Sequence, residues 1–171
     1  LLRALKTGQN QIFLSASKTQ AYVVRKYIIA FARMVDVDLS GDPIVIGNNG
    51  AELIFLGTNS NTAQSHNGDL YVDEIFWIPN FQKLRKVASG MASQSHLRTT
   101  YFSTPSTLAH GAYPFWSGEL FNRGRSNASE RVDIDISHKA LAGGVLCPDG
   151  QWRQIVTIED ALAGGCTLFN L

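Results

Sequence analysis

Cysteine is scarce in this chain: Cys147 and Cys166 stand alone among 171 residues, and no C-x-x-C pair occurs. The four histidines, His66, His96, His110 and His138, are scattered. That spacing speaks against a zinc centre and fits free thiols in a reducing compartment. No apolar run is long enough to cross a bilayer, so no membrane association is expected. The net charge is only +1, which is no electrostatic footprint for nucleic acid; the local clusters Lys83, Arg85, Lys86 and Arg123, Arg125 read first as solvated faces. There is no initiator Met, and the apolar start at Leu1–Leu2 is too short for a signal peptide. The sequence is therefore expected to begin within a longer protein. No Gly is followed by Lys, so the phosphate-binding pattern G-x-x-x-x-G-K-[ST] is missing as well.

What remains is an ordinary globular composition, 44% hydrophobic and 17% charged, in a length that suits one domain. Strand-like and helix-like segments alternate, which predicts an α/β fold with a mostly parallel sheet flanked by helices. Gln11 to Leu14 reads as a short strand. A helix follows, with Ser17 as its cap and Gln20 completing a capping box. Its inward face is predicted from Ala21, Val24, Ile28, Phe31 and Val35. Ile44–Ile46 and Glu52–Leu56 flank the turn Gly47-Asn48-Asn49-Gly50, a hairpin signal. After a polar loop from Gly57 to Gly68 come a strand over Asp69–Ile75, a helix over Asn80–Met91 and a strand over Leu97–Ser103. The helix carries Phe81, Leu84, Ala88 and Met91 on one face. The last third predicts a short helix over Tyr113–Phe121 and an alternating strand over Val132–Ile136. A β-hairpin follows, Val145–Cys147 and Trp152–Ile158 around Pro148-Asp149-Gly150, and then a short helix from Glu159 to Ala163.

Chemistry concentrates at strand ends. Leu70-Tyr71-Val72-Asp73-Glu74 is an apolar strand finishing in two acids, the pattern of a Walker B motif. The carboxyl ends of parallel strands border the ligand crevice of an open α/β sheet. The first acid there suits a magnesium ion, usually through water, and the second suits an attacking water. A buried strand that merely ends in surface acids has the same local sequence. Ser15-Ala16-Ser17-Lys18-Thr19-Gln20-Ala21 joins a strand to a helix start, where an anion is favoured; an ordinary capped helix explains Ser17 and Gln20 equally. Tyr101-Phe102-Ser103-Thr104-Pro105 ends another strand in hydroxyls, the place of a coupling motif, or of a plain Ser-Thr-Pro turn. Asp133 and Asp135 share one face of their segment and read first as solvated. Arg98, Arg123 and Arg125 are candidates for an arginine finger, with surface ion pairing the commoner role. Trp77, Trp116 and Trp152 read as core or interface residues.

The order and spacing of these pieces resemble the large terminase subunit of tailed phages, in the P2-like branch of terminase ATPase subunits. The likeness spans essentially the whole chain. It is densest over Phe55-Leu56-Gly57-Thr58-Asn59-Ser60, Asp69 to Glu74, Phe76-Trp77-Ile78-Pro79-Asn80-Phe81, Tyr101 to Ala109 and Gln151-Trp152-Arg153-Gln154-Ile155-Val156. The resemblance implies a P-loop NTPase fold of the ASCE/RecA-like kind, with ATP and Mg²⁺ as ligands. It implies that residues 1–171 are a partial ATPase (motor) domain, with the P-loop upstream of Leu1 and a nuclease domain downstream of Leu171, both absent here. Asp73 would be the metal-side acid, Glu74 the catalytic carboxylate, and Ser103 with Thr104 the coupling pair that senses nucleotide. The implied partners are double-stranded DNA, a small terminase subunit and a portal protein, around a homo-oligomeric ring. The implied location is the cytoplasm of the infected or lysogenic bacterial host, and transiently the procapsid portal. Without the phosphate loop, the chain alone is expected to bind ATP poorly and hydrolyse it negligibly. Two rivals stand beside this reading. A helicase-like ATPase would need a second RecA-like domain, and nothing after Asn127 resembles one. A non-catalytic relic or docking module would keep the fold without the activity.

Overall fold

The computed structural model describes residues 1–47, 49–58 and 65–167. Asn48, Asn59, Ser60 and part of the loop between Gly57 and Gly68 lie outside the described residues. Two compact units divide the chain, residues 1–112 and 113–171.

The first unit is built on a five-stranded sheet. Its strands are β1 (Gln11–Ser15), β2 (Ile44–Val45), β3 (Glu52–Gly57), β4 (Asp69–Asp73) and β5 (Thr99–Phe102), in the spatial order β2-β3-β1-β4-β5. β1 pairs in parallel with both β3 and β4, and β5 lies parallel to β4. Only β2 runs antiparallel, against β3, as the turn chemistry after Ile46 predicts. The expected mostly parallel sheet is therefore present, and it aims four carboxyl ends in one direction.

Helix α1 (Leu2–Thr7) and helix α2 (Lys18–Arg33) supply the cover of one face. Ala4, Ala21, Ile44, Ile46, Ala51, Leu53 and Phe55 form its core, with Phe13, Val24, Ile28 and Ile29 packed around it. Phe13 lies at the same level as Phe55 and Tyr71 on its two neighbouring strands, and the three rings stack at about 5 Å. The Ser17 capping box of α2 forms as predicted, with the Ser17 side chain on the Gln20 N–H and the Gln20 side chain on the Ser17 N–H. Its inward face differs from the prediction. Ala21 and Ala32 are the fully buried positions, whereas Phe31 is 49% exposed and Val35 lies beyond the helix end, also exposed. Ala32 stands eleven residues after Ala21, three full turns, and takes the inward place; Phe31 is about 100° away from it. Helix α3 (Phe81–Met91) contacts β4, and Phe81, Leu84, Ala88 and Met91 are all buried, as their spacing predicts. Asn80 caps it by accepting from the Lys83 N–H at 3.1 Å.

One close approach fixes how β3 meets the start of α2. A Cβ added to Gly57 would lie 2.7 Å from the Lys18 backbone nitrogen and 3.1 Å from the Ser17 carbonyl carbon. Backbone cannot step aside as a side-chain tip does. We expect Gly57→Ala to cost about 1–3 kcal/mol of unfolding free energy, read from urea titration. An unchanged midpoint would mean that this turn has room to move.

The second unit is composed of short pieces. The segment predicted as one helix over Tyr113–Phe121 is two single turns, α4 (Tyr113–Trp116) and α5 (Glu119–Asn122), parted at Gly118 with φ 84°. Val132–Ile136 is not a strand. Its residues alternate between exposed and half-buried as predicted, but among the described residues no strand pairs with them. Alternation reports which side is covered; strand pairing needs a backbone partner as well. Asp133 and Asp135 are both exposed, and Asp135 Oδ1 accepts from the Ser137 N–H at 2.9 Å. After the short helix α6 (His138–Leu141) comes the predicted hairpin, shorter than expected: β6 (Val145–Leu146) antiparallel to β7 (Trp152–Arg153). Arg153 holds it in place. Its guanidinium pairs with Asp149 at 2.6 Å and donates to the Trp116 carbonyl at 2.8 Å, with both charged side chains almost wholly buried. Helix α7 (Ile158–Ala163) closes the unit behind a Thr157–Asp160 capping box. Cys147 and Cys166 are free thiols.

Candidate active site

The site forms where parallel strands end together. Leu14 is level with Val72, and Asp73 with Phe102, so Ser15, Asp73, Glu74, Ser103 and Thr104 come to one end of the sheet. Sequence placed the acids at the end of a strand running to Ile75. The strand instead stops at Asp73, because Glu74 is left-handed, with φ 55° and ψ 47°. For a residue with a Cβ this conformation costs energy of order 1 kcal/mol, and such costs gather at functional sites. Its consequence is local. The chain turns sharply into a 3-10 turn over Ile75–Trp77, closed by the Trp77 N–H on the Glu74 carbonyl at 2.8 Å. The two consecutive acids therefore do not alternate across the sheet as strand residues would.

Glu74 is held by the hydroxyl pair. Its Oε2 accepts from Ser103 Oγ at 3.0 Å, from Thr104 Oγ1 at 3.0 Å and from the Thr104 N–H at 3.2 Å. Among the described residues no hydrogen bond falls on Oε1. One oxygen is thus anchored and the other is available to a further donor such as water. The structure brings together the four candidates Asp73, Glu74, Ser103 and Thr104, and it adds two residues not singled out for this site. Ser15 Oγ sits 3.5 Å from Asp73 Oδ2. Trp77 Nε1 donates to Thr104 Oγ1 at 2.9 Å. Sequence carried a partial signal for Ser15, a hydroxyl ending the strand that becomes β4's neighbour. It carried none for Trp77, which reaches the site only because Glu74 breaks the strand.

The Asp73 carboxyl is pushed above the usual carboxylate range, first by burial and then by the charge of Glu74; the Glu74 N–H and the Ser15 hydroxyl offset part of this. A raised value has a definite sign. The protonated form is favoured in the folded chain, so this contribution to stability is complete below the unfolded pKa and is lost as pH rises through the folded one. We expect Asp73→Asn to melt about 1–2 °C above the parent at pH 7 and level with it near pH 3, in thermal melts without divalent metal. A lower melting point for the variant at pH 7 would show that the ionised carboxylate is stabilised here.

A hard divalent cation fits this arrangement. Asp73 is a half-buried carboxylate that, among the described residues, has no cationic partner and faces a second acid, and a hydroxyl oxygen stands beside it. Among the described residues no three His, Cys, Asp or Glu side chains cluster as a metal cage. One or two oxygens completed by water and phosphate is the way magnesium is usually held. Of the arginine-finger candidates, Arg98 precedes β5 and gives its backbone N–H to Asp69, at the opposite end of the strands from Glu74. Arg123 and Arg125 belong to the second unit, where Arg125 stacks on the Phe121 ring at 3.7 Å.

A mostly parallel α/β sheet with paired acids and paired hydroxyls at its carboxyl edge defines a class: proteins that place a polar centre at strand ends. Within that class the chain belongs to the terminase large-subunit family, whose sequence model (terminase large subunit, T4likevirus-type, N-terminal) matches residues 1–170. It is 88% identical over all of its 171 residues to the terminase, ATPase subunit, of Escherichia phage P2. It is 50% identical over 170 residues to the probable terminase, ATPase subunit, of Haemophilus phage HP1. The chain spans 29% and 28% of the lengths of these two relatives. Among the described residues no helix is long and apolar enough to cross a membrane.

Proposed function

We propose that this chain is part of the ATP-hydrolysing motor domain of a DNA-packaging terminase, within a P-loop NTPase fold of the ASCE/RecA-like kind. The observation that carries the reading is the convergence of Ser103 and Thr104 on one oxygen of Glu74, beside Asp73, at the common end of β1, β4 and β5. In this reading the phosphate-cradling loop comes from sequence upstream of Leu1, and a nuclease domain follows downstream.

Asp73 would hold Mg²⁺, with the Ser15 hydroxyl beside it. When bound, the ion would supply neutralisation of the nucleotide's phosphate charge. Glu74 orients the attacking water through Oε1 and takes up its developing proton. The strained backbone of Glu74 and the three donors on Oε2 keep that carboxylate in one orientation, which phosphoryl transfer needs more than it needs covalent chemistry. Ser103 and Thr104 follow β5 directly, so a shift of that strand end on nucleotide exchange moves the donors of Glu74. This is the coupling by which ATP hydrolysis drives translocation of double-stranded DNA. The partners in this reading are DNA, a small terminase subunit, a portal protein and further copies in a ring, in the host cytoplasm and at the procapsid.

The test is ATP turnover by the full-length protein, with and without Mg²⁺ and DNA, beside residues 1–171 alone. We expect Mg²⁺-dependent, DNA-stimulated turnover in the former and none measurable in the latter. A full-length protein inert under every DNA and partner condition would move the non-catalytic docking reading ahead.

A further inference from the structure

We propose that Trp77 is a positioning residue for Glu74, acting through the hydroxyl of Thr104; this rests on the reading of Glu74 as the catalytic carboxylate. The argument is one of donors and acceptors. An indole N–H can only donate, and a threonine hydroxyl has one proton and two lone pairs. Trp77 Nε1 donates to Thr104 Oγ1 at 2.9 Å, which fills one lone pair. The Thr104 proton is then directed to its acceptor, Glu74 Oε2, at 3.0 Å. Ser103 is differently placed. It accepts the Phe76 N–H at 3.2 Å, but its single proton faces both Glu74 Oε2 at 3.0 Å and the Thr104 carbonyl at 2.7 Å. Of the two hydroxyls, Thr104 is the committed donor to Glu74, and Trp77 is what commits it.

Packing does not explain why a tryptophan stands there. Its side of the turn is open, and the residue is 58% exposed. The turn itself is pinned by its neighbours Ile75 and Ile78, which are 4% and 3% exposed. Burial of apolar area would favour a ring turned inward. Here the one polar atom of the ring is bonded to the site while much of the ring meets solvent. Removing that atom should therefore disturb the carboxylate more than the fold.

The experiment is steady-state ATP hydrolysis by the full-length protein. Trp77→Phe deletes the N–H and keeps an aromatic ring. Its kcat is expected to fall about 3- to 10-fold, the worth of one positioned hydrogen bond, with KM for ATP unchanged. Thr104→Val should lower kcat at least as far, and Trp77→Phe combined with Thr104→Val should be no slower than Thr104→Val alone. A benzothienylalanine at position 77 replaces only the N–H by sulfur and keeps the bicyclic shape; it should match Trp77→Phe. A parental kcat for that isostere, or losses that multiply in the double variant, overturns the proposal even where Trp77→Phe is misfolded. Glu74→Gln separates the two levels. An inactive Glu74→Gln with an unaffected isostere defeats the role of Trp77 alone, whereas a fully active Glu74→Gln defeats the underlying reading and this proposal with it.

Discussion

Glu74→Gln in the full-length protein is expected to lower DNA-stimulated ATP turnover by about 10²–10⁴-fold while leaving nucleotide affinity nearly unchanged. The magnitude is that of a positioned general base. Glutamine keeps the length and planarity of the side chain, and its amide oxygen can take the place of Oε2 beneath Ser103, Thr104 and the Thr104 N–H. The other position then carries NH₂, a donor where water needs an acceptor. The loss should appear in kcat rather than in KM, because the interaction is made in the transition state. Single-turnover kinetics with excess enzyme would place the loss in the chemical step. Turnover within a few-fold of the parent would assign water activation to another group.

The largest stability effect is expected at Asp69, at the other end of the same strand. Its carboxylate is almost wholly buried, pairs with Arg3 Nε at 2.5 Å, and accepts from Gln11 Nε2 at 3.0 Å and from the Arg98 N–H at 2.8 Å. One side chain thus joins α1, β1, β4 and the start of β5. Burial pushes this carboxyl up, but the Arg3, Arg98 and Gln11 hydrogen bonds together outweigh it and hold it below the usual carboxylate range. Here the sign is opposite to that of Asp73. The stabilisation is present above the unfolded pKa and is lost as pH falls through the lowered folded value. Asp69→Ala leaves the Arg98 N–H without its acceptor and strands the Arg3 charge, while the Gln11 amide keeps the Gln9 and Asn10 carbonyls. We expect a loss of about 2–4 kcal/mol in urea unfolding at pH 7; the figure stays below that for a sealed ion pair because Arg3 reaches solvent. The same comparison near pH 3 should show a smaller gap. A loss under about 1 kcal/mol at neutral pH would mean that water replaces the carboxylate at little cost.

Much of the first unit was legible in the sequence because local and tertiary preferences agree there. Phe81, Leu84, Ala88 and Met91 have helical spacing and a sheet to cover, and all four are buried. The capping box at Ser17 is a matter of four residues, and it formed. Phe31 was misread because periodicity weighs large apolar residues heavily, while the inward position went to a small one, Ala32. Val132–Ile136 failed as a strand for a different reason: no local rule reports whether a partner backbone is present. In the site, residue types were readable and conformation was not. Asp73, Glu74, Ser103 and Thr104 were expected at strand ends, and the structure brings them together there. The left-handed backbone of Glu74, beside which Thr104 and, beyond it, Trp77 stand, falls in a turn whose residues carry no glycine signal.

The sheet order bears on how the chain comes together during synthesis. β1 lies at the centre, yet its partners begin at Glu52 and Asp69, so both of its edges stay bare while the ribosome makes the next forty to sixty residues. Parallel pairing of this kind cannot be nucleated by a local turn, and high contact order slows it. The strand Gln11–Ser15 therefore emerges before either partner and commits late. The nascent chain passes through a long interval in which Ile12, Phe13 and Leu14 are exposed, and the yield of native protein should rise when a holdase chaperone is abundant.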